Sequence, residues 1–157
     1  AAAGGSRLSV PPGAIAGLDG LGALRMGGLD AVTYTSTKPP DAWRGTPAEH
    51  EFDLAALTER TVIFSGPAAE AAREYPKNAN LAATVAFAGL GLQRTMVRLV
   101  ADPAAEHNTG RINAKGTFGT LTVECVNHPA AGNPKTSAST GLSLAHALLR
   151  GSEPIVI

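Results

Sequence analysis

Leu29-Asp30-Ala31-Val32-Thr33-Tyr34-Thr35-Ser36-Thr37 decides the fold class. Its β-branched and aromatic residues suit a pleated strand. Two alternating sets, Ala31, Thr33, Thr35 and Val32, Tyr34, Ser36, face opposite sides of it. Lys38-Pro39-Pro40 ends the strand, since proline has no N–H for a ladder. Just upstream, Ile15, Leu18, Leu21 and Leu24 recur near helical period over Ile15 to Met26, with Gly27-Gly28 as the stop. A helix feeding a two-faced strand is the unit from which the remainder is built.

Working outward, Arg7 to Val10 is expected to be a short strand stopped by Pro11-Pro12-Gly13. Asp41 to Glu51 is polar and is read as a loop with a short helix. Thr61 to Ser65 is a buried-type strand, and Gly66-Pro67 turns into a helix over Ala68 to Glu74. After Pro76-Lys77-Asn78, either Asn78 or Asn80 is an N-cap for Ala79 to Leu90, a nearly all-apolar and therefore buried helix. Arg94 to Ala101, Arg111 to Lys115 and Gly119 to Asn127 are strands, the last two hinged at Gly116 and Gly119. Pro134 to Arg150 is a helix with Leu142, Ala145, Leu148 and Leu149 on one face, and Ile155 to Ile157 is a final strand. The expected class is α+β, a mixed and largely antiparallel sheet covered by helices.

Composition narrows the function. Lys plus Arg equal Asp plus Glu at 13 each in 157 residues, which argues against a nucleic-acid partner bound through a basic surplus. Apolar residues make up 44% and charged residues 17%, so the chain can bury a core, while 4% aromatics leave few stacking platforms. The single cysteine, Cys125, excludes an internal disulfide framework and fits a reducing compartment. No apolar run approaches the ~20 residues of a membrane span. The opening residues, with no charged segment before an apolar one, are not expected to be a secretory leader. Ala1 to Val10 reads as the tail of a helix, a glycine stop and a strand, so an N-terminal portion is expected to be missing.

Several features are decoys. Gly20-Leu21-Gly22 and Gly89-Leu90-Gly91 lack the third glycine and the strand-to-helix setting of a dinucleotide loop. His50, His107, His128 and His146 are scattered, with no pair at metal-ligand spacing on a helix. Cys125 is expected to be a small core residue with nothing beside it to activate a thiolate. Three segments are richer in polar groups than packing needs: Thr37 to Pro40, Pro76 to Asn80, and Asn133 to Ser137. The last two are read as helix starts, whose free N–H groups favour anions. With Lys38 and Lys135 nearby they would suit a small dicarboxylate; plain capping is the alternative.

These segments belong to a longer ordered set. Pro12-Gly13-Ala14-Ile15-Ala16-Gly17-Leu18-Asp19, Lys38-Pro39-Pro40, Phe64-Ser65-Gly66-Pro67-Ala68, Tyr75-Pro76-Lys77-Asn78-Ala79-Asn80-Leu81-Ala82-Ala83, Ala101-Asp102-Pro103, Gly116-Thr117-Phe118-Gly119 and Asn133-Pro134-Lys135-Thr136-Ser137 follow in that order. Together they resemble the C-terminal part of the L-aspartate dehydrogenase family, across essentially the whole chain. The resemblance implies the C-terminal domain type of a Rossmann-linked dehydrogenase. Residues 1–12 would be the end of a missing dinucleotide-binding domain, 13–150 a substrate-binding and dimerisation domain, and 151–157 a terminal strand or tail. It implies oxidation of L-aspartate with NAD or NADP to iminoaspartate or oxaloacetate, linked to NAD biosynthesis, by a cytoplasmic homodimer assembled through its sheet or helix layer.

Carried over by position, the resemblance implies that Ala14 and Asn80 contact the cofactor. Lys38 and Lys135 are candidates for the substrate carboxylates, with Thr136 and Ser137 as helix-start donors. The family's catalytic histidine lies in an Asn-x-His-x-Ile motif. Here the motif is Asn108-Thr109-Gly110-Arg111-Ile112, with glycine at the histidine position and His107 three residues earlier as a candidate substitute. Pro12 also stands where the family usually has serine. The alternative is a catalytically inert paralogue that binds a metabolite or serves in assembly.

Overall fold

The computed structural model describes residues 2–130 and 133–154, with the side chains of residues 2, 129, 130 and 133–136 outside the described set. The element order is α1 (Leu18–Gly27), β1 (Leu29–Lys38), a 3-10 turn (Pro40–Trp43), α2 (Ala48–Glu51), β2 (Thr61–Pro67), α3 (Ala68–Glu74), α4 (Asn80–Ala88), β3 (Met96–Ala101), β4 (Asn108–Gly116), β5 (Gly119–Asn127), β6 (Pro129–Ala130), β7 (Asn133–Ser137) and α5 (Ala138–Leu149).

Five strands form one mixed sheet in the order β2-β3-β1-β4-β5. β1 and β3 are parallel, and the other three neighbouring pairs are antiparallel. The alternation in β1 sets the layers. Val32, Tyr34 and Ser36 turn to one face with Val97, Leu99, Ile112 and Ala114, all buried. Leu21 of α1, Ala71 of α3 and Ala82 and Val85 of α4 close over that face. The opposite face carries Thr35, Arg98, Arg111 and Glu124 along one cross-strand row, and Val62, Met96 and Val126 are exposed on it. The fold class is therefore α+β with helices on one side.

The elements differ from expectation in a few places. Arg7 to Val10 is an exposed coil, not a strand. Its β-prone side chains meet no sheet edge, and Pro11-Pro12 withhold the donors that pairing would use. The last helix starts at Ala138 rather than Pro134, because Asn133–Ser137 pairs with Pro129–Ala130. A residue before proline is driven out of the helical region, which favours the extended form at Asn133. Neither asparagine caps α4: Ala79 holds the cap position and Asn80 is the first helical residue. β4 begins at Asn108, earlier than the sequence pattern suggests, because β1 and β5 flank it on both sides. The expected strand at 155–157 lies outside the described residues.

Candidate active site

β1 and β3 run parallel, so their carboxyl ends coincide at Lys38 and Ala101. The Asp102 N–H donates to the Lys38 carbonyl at 2.9 Å, which holds the two ends together. Asn78, just before α4, faces the same end: Lys38 Nζ donates to Asn78 Oδ1 at 2.8 Å. The ammonium also lies 4.9 Å from the centroid of the buried Trp43 ring, a cation–π contact. Among the described residues no carboxylate pairs with it. Burial pushes its pKa below the usual 10.5. A half-buried cation with only an amide and a ring for company leaves a positive field at the strand ends, suited to an anionic group.

The Gly13-Ala14-Ile15 segment reaches the same end from the other side. Gly13 takes φ +73°, a left-handed conformation that favours glycine. A Cβ there would stand 3.2 Å from Leu81 Cδ2, so the turn abuts the first turn of α4 beside Asn80. Ala14 is buried, and its carbonyl accepts from Asn127 Nδ2 at 3.0 Å. Ile15 closes over Gly110: a Cβ on Gly110 would lie 3.2 Å from Ile15 Cδ1 and 3.1 Å from Tyr34 Oη. Gly110 pairs with Ser36, two residues before Lys38 on the same face of β1. Ala14, Gly110 and Lys38 thus lie toward one end of the helix-covered face, and α4 begins at Asn80, next to the Leu81 that abuts Gly13.

Tyr34 is 1% exposed. Burial raises its phenol pKa strongly. The phenol therefore stays protonated beside the Gly110 position.

The other candidates are placed differently. His107 does not stand beside position 110. It lies on the opposite, open face, its ring 4.3 Å from that of His128, in a cavity of about 420 Å³ shared with Thr35, Thr109, Arg111 and Glu124. His107 just precedes β4 and lines the same cavity as Thr109, which alternation in β4 turns away from the side of Gly110. Lys135 and Thr136 belong to β7 rather than to a helix start, and their side chains lie outside the described residues. Ser137 holds the N-cap position of α5 but makes no side-chain cap bond. His146 is exposed on α5 and Cys125 is half-buried opposite Gly110 in the β4–β5 ladder. Sequence reasoning missed Asn127 and Tyr34. A polar residue on the covered side of β5, in register with Cys125 and Val123, was the available signal for Asn127.

A family model described as aspartate dehydrogenase, C-terminal, matches residues 19–151. The chain belongs to this family. It is 56% identical over 145 residues to an L-aspartate dehydrogenase of Cupriavidus taiwanensis, covering 92% of this chain and 54% of that protein. It is 53% identical over 148 residues to one of Pseudomonas aeruginosa, covering 94% and 55%. The crystal structure of aspartate dehydrogenase from Thermotoga maritima superposes with a TM-score of 0.75 at 27% identity, covering 96% of this chain and 56% of that one. The chain spans about half the length of these relatives.

Proposed function

We propose that this chain is the substrate-side half of an L-aspartate dehydrogenase that uses NAD or NADP. The observation that carries the proposal is the Lys38 ammonium, half-buried, bonded to the Asn78 amide and with no carboxylate partner among the described residues. In this reading Lys38 binds a carboxylate of L-aspartate or oxaloacetate, and Lys135, Thr136 and Ser137 serve the same ligand. The residues present fit a nicotinamide. Asn80 is exposed on the first turn of α4, its side-chain amide makes no hydrogen bond among the described residues, and it is able to pair with a carboxamide. Ala14 offers a methyl group where a bulkier side chain would obstruct a ring. When bound, the nicotinamide supplies the hydride acceptor.

The chain's own residues set the rest. Lys38 orients the substrate so that its Cα–H faces the Ala14 turn. Oxidation of the amine to an imine is followed by addition of water and loss of ammonia. Residue 110, where an imidazole would take the proton from that water, is glycine. Residues 1–12 close a preceding dinucleotide-binding domain, 13–150 form the substrate and dimerisation domain, and 151–157 form its tail. The assembly is a homodimer through the open sheet face, where Val62, Met96 and Val126 are exposed. A cytoplasmic setting within NAD biosynthesis agrees with the lone half-buried cysteine; among the described residues no helix is long and apolar enough to cross a membrane.

One observation favours the second reading, an inert paralogue that binds a metabolite or serves in assembly. Gly110 is buried beneath Ile15 and Tyr34, so the acid–base position is both empty of an imidazole and closed. The two readings separate on aspartate-dependent formation of NADH or NADPH by the full-length protein. Turnover supports the first. Dicarboxylate binding without turnover, under either cofactor, supports the second.

A further inference from the structure

We infer that Asn127 is a positioning residue for the nicotinamide cofactor, acting on the Gly13–Ala14 turn through a hydrogen-bonded latch completed by Ser139 and Ser143 of α5. The inference rests on the reading of Ala14 as a cofactor contact. Asn127 ends β5 and is 8% exposed, yet every polar atom of its side chain is engaged. Nδ2 donates to the Ala14 carbonyl at 3.0 Å and to the Cys125 carbonyl at 3.3 Å. Oδ1 accepts from Ser139 Oγ at 2.7 Å. The Ser139 hydroxyl thereby fixes which way the amide points, and its donor side must face Ala14.

One helical turn further along α5, Ser143 Oγ accepts the Gly13 N–H at 3.0 Å. The adjacent donor and acceptor of the turn are therefore both held by side chains, from 113 and 130 positions away. A left-handed glycine cannot join a regular ladder, so its neighbours' orientation depends on such contacts. α5 itself has no buried residue, and Leu142 and Leu148 face solvent. Two serines, not an apolar seam, tie this helix to the turn. Small displacements of a residue that contacts a reacting ring are costly, so this polar tie sets cofactor affinity.

The experiment uses the full-length protein and measures NADH and NADPH dissociation constants by nucleotide fluorescence, with thermal unfolding alongside. Asn127→Asp turns a donor into an oxygen facing the Ala14 carbonyl, and weakens binding of the preferred nucleotide by roughly tenfold or more. Ser139→Ala and Ser143→Ala weaken it by smaller factors, and Ser139→Thr, which keeps the hydroxyl, restores most of the loss. Leu121→Ala, a packing change elsewhere on β5, lowers the unfolding temperature without moving the dissociation constant. Should Asn127→Asp not fold, the two serine variants on the exposed helix carry the test. Folded Asn127 and serine variants with the parent's affinity overturn the latch, as does an equal loss of affinity in Leu121→Ala. A parent that binds neither nucleotide overturns both the latch and the cofactor reading beneath it.

Discussion

Lys38 and Asn78, 40 positions apart, meet at 2.8 Å, and the ammonium has an amide oxygen where a buried cation ordinarily has a carboxylate. On the proposed reading charge is the means of recognition at the strand ends, and binding is then expected to depend on pH. Dicarboxylate binding needs the protonated amine. Burial lowers the Lys38 pKa, so affinity is full below the folded value and falls as pH rises through it, earlier than for a lysine at 10.5. Titrating oxaloacetate at several pH values checks this. Lys38→Met abolishes the binding and the pH dependence together; an unchanged affinity removes Lys38 from the site.

The ligand-free protein shows the complementary effect. Because the folded pKa lies below 10.5, the unfolded chain binds the extra proton between the two values. The stability that Lys38 contributes as a neutral amine is complete above 10.5 and is lost as pH falls through the folded value. Thermal unfolding of Lys38→Met is expected to lack this component and to show no lower midpoint than the parent near neutral pH.

Gly116 tests the sheet. A Cβ there would collide with the Gly28 carbonyl, a backbone group with no rotamer to yield. Gly28 is itself engaged, accepting from the Thr117 N–H at 3.1 Å, and the β1–β4 register shifts beside it at Leu29. Gly116→Ala is therefore expected to destabilise by about 2–3 kcal/mol or more. Gly22→Ala, on α1 with open space around its Cβ, is the comparison and is expected to be neutral or stabilising in urea melts.

Much of this arrangement is legible in the sequence for identifiable reasons. β1 and α3 are marked by alternation and by Gly66-Pro67, both local signals. Arg7 to Val10 carries the same kind of signal and fails, because a strand also needs a neighbour, which no local pattern supplies. Asn133 to Ser137 looks like a helix start until Pro129–Ala130 captures it as a hairpin partner. Ala14, Lys38, Asn80, Gly110 and Lys135 are picked out by ordered motifs, but the side chain of Lys135 lies outside the described residues. His107 lies close to Gly110 in sequence, but strand parity sends it to the other face once β4 extends back to Asn108. Asn127 is a lone polar residue at a strand end, and its partners lie too far along the chain for any spacing rule.

Trp43 gives the site an intrinsic reporter. It is the only tryptophan in the sequence, and it is fully buried beneath the Lys38 ammonium. Its Nε1 donates to the Val100 carbonyl at 3.1 Å, and its ring meets Tyr75 edge-on at 6.3 Å. An anion drawing the ammonium away changes the field on the indole, so dicarboxylate binding is expected to shift its fluorescence. Lys38→Met should abolish that response. Trp43→Phe keeps most of the packing but removes the bond to the Val100 carbonyl, at a cost of about 0.5–1.5 kcal/mol. A dicarboxylate that binds by calorimetry without altering Trp43 emission would place its carboxylate away from Lys38.

Gly110 carries the sharpest claim about chemistry. In the full-length protein, aspartate oxidation is expected to be slow even with both ligands bound, since loss of a positioned acid–base group costs about 10²–10⁴ in rate. Gly110 does not adopt a positive φ, so its backbone accepts an L side chain. The obstacle is steric: Tyr34 Oη and Ile15 Cδ1 stand 3.1 and 3.2 Å from the new Cβ and must shift by a few tenths of an ångström. Gly110→His is therefore expected to recover much of the rate while lowering stability by roughly 1–3 kcal/mol. Gly110→His with Ile15→Val should recover more, because the covering side chain is shorter. His107→Ala, on the far face of the sheet, should change neither form. Steady-state cofactor reduction decides among these. A parent that is fully active and loses activity only on His107→Ala would mean that the β4 start is remodelled in the working enzyme. A parent that is fully active and indifferent to both substitutions would show that no histidine of this strand takes part.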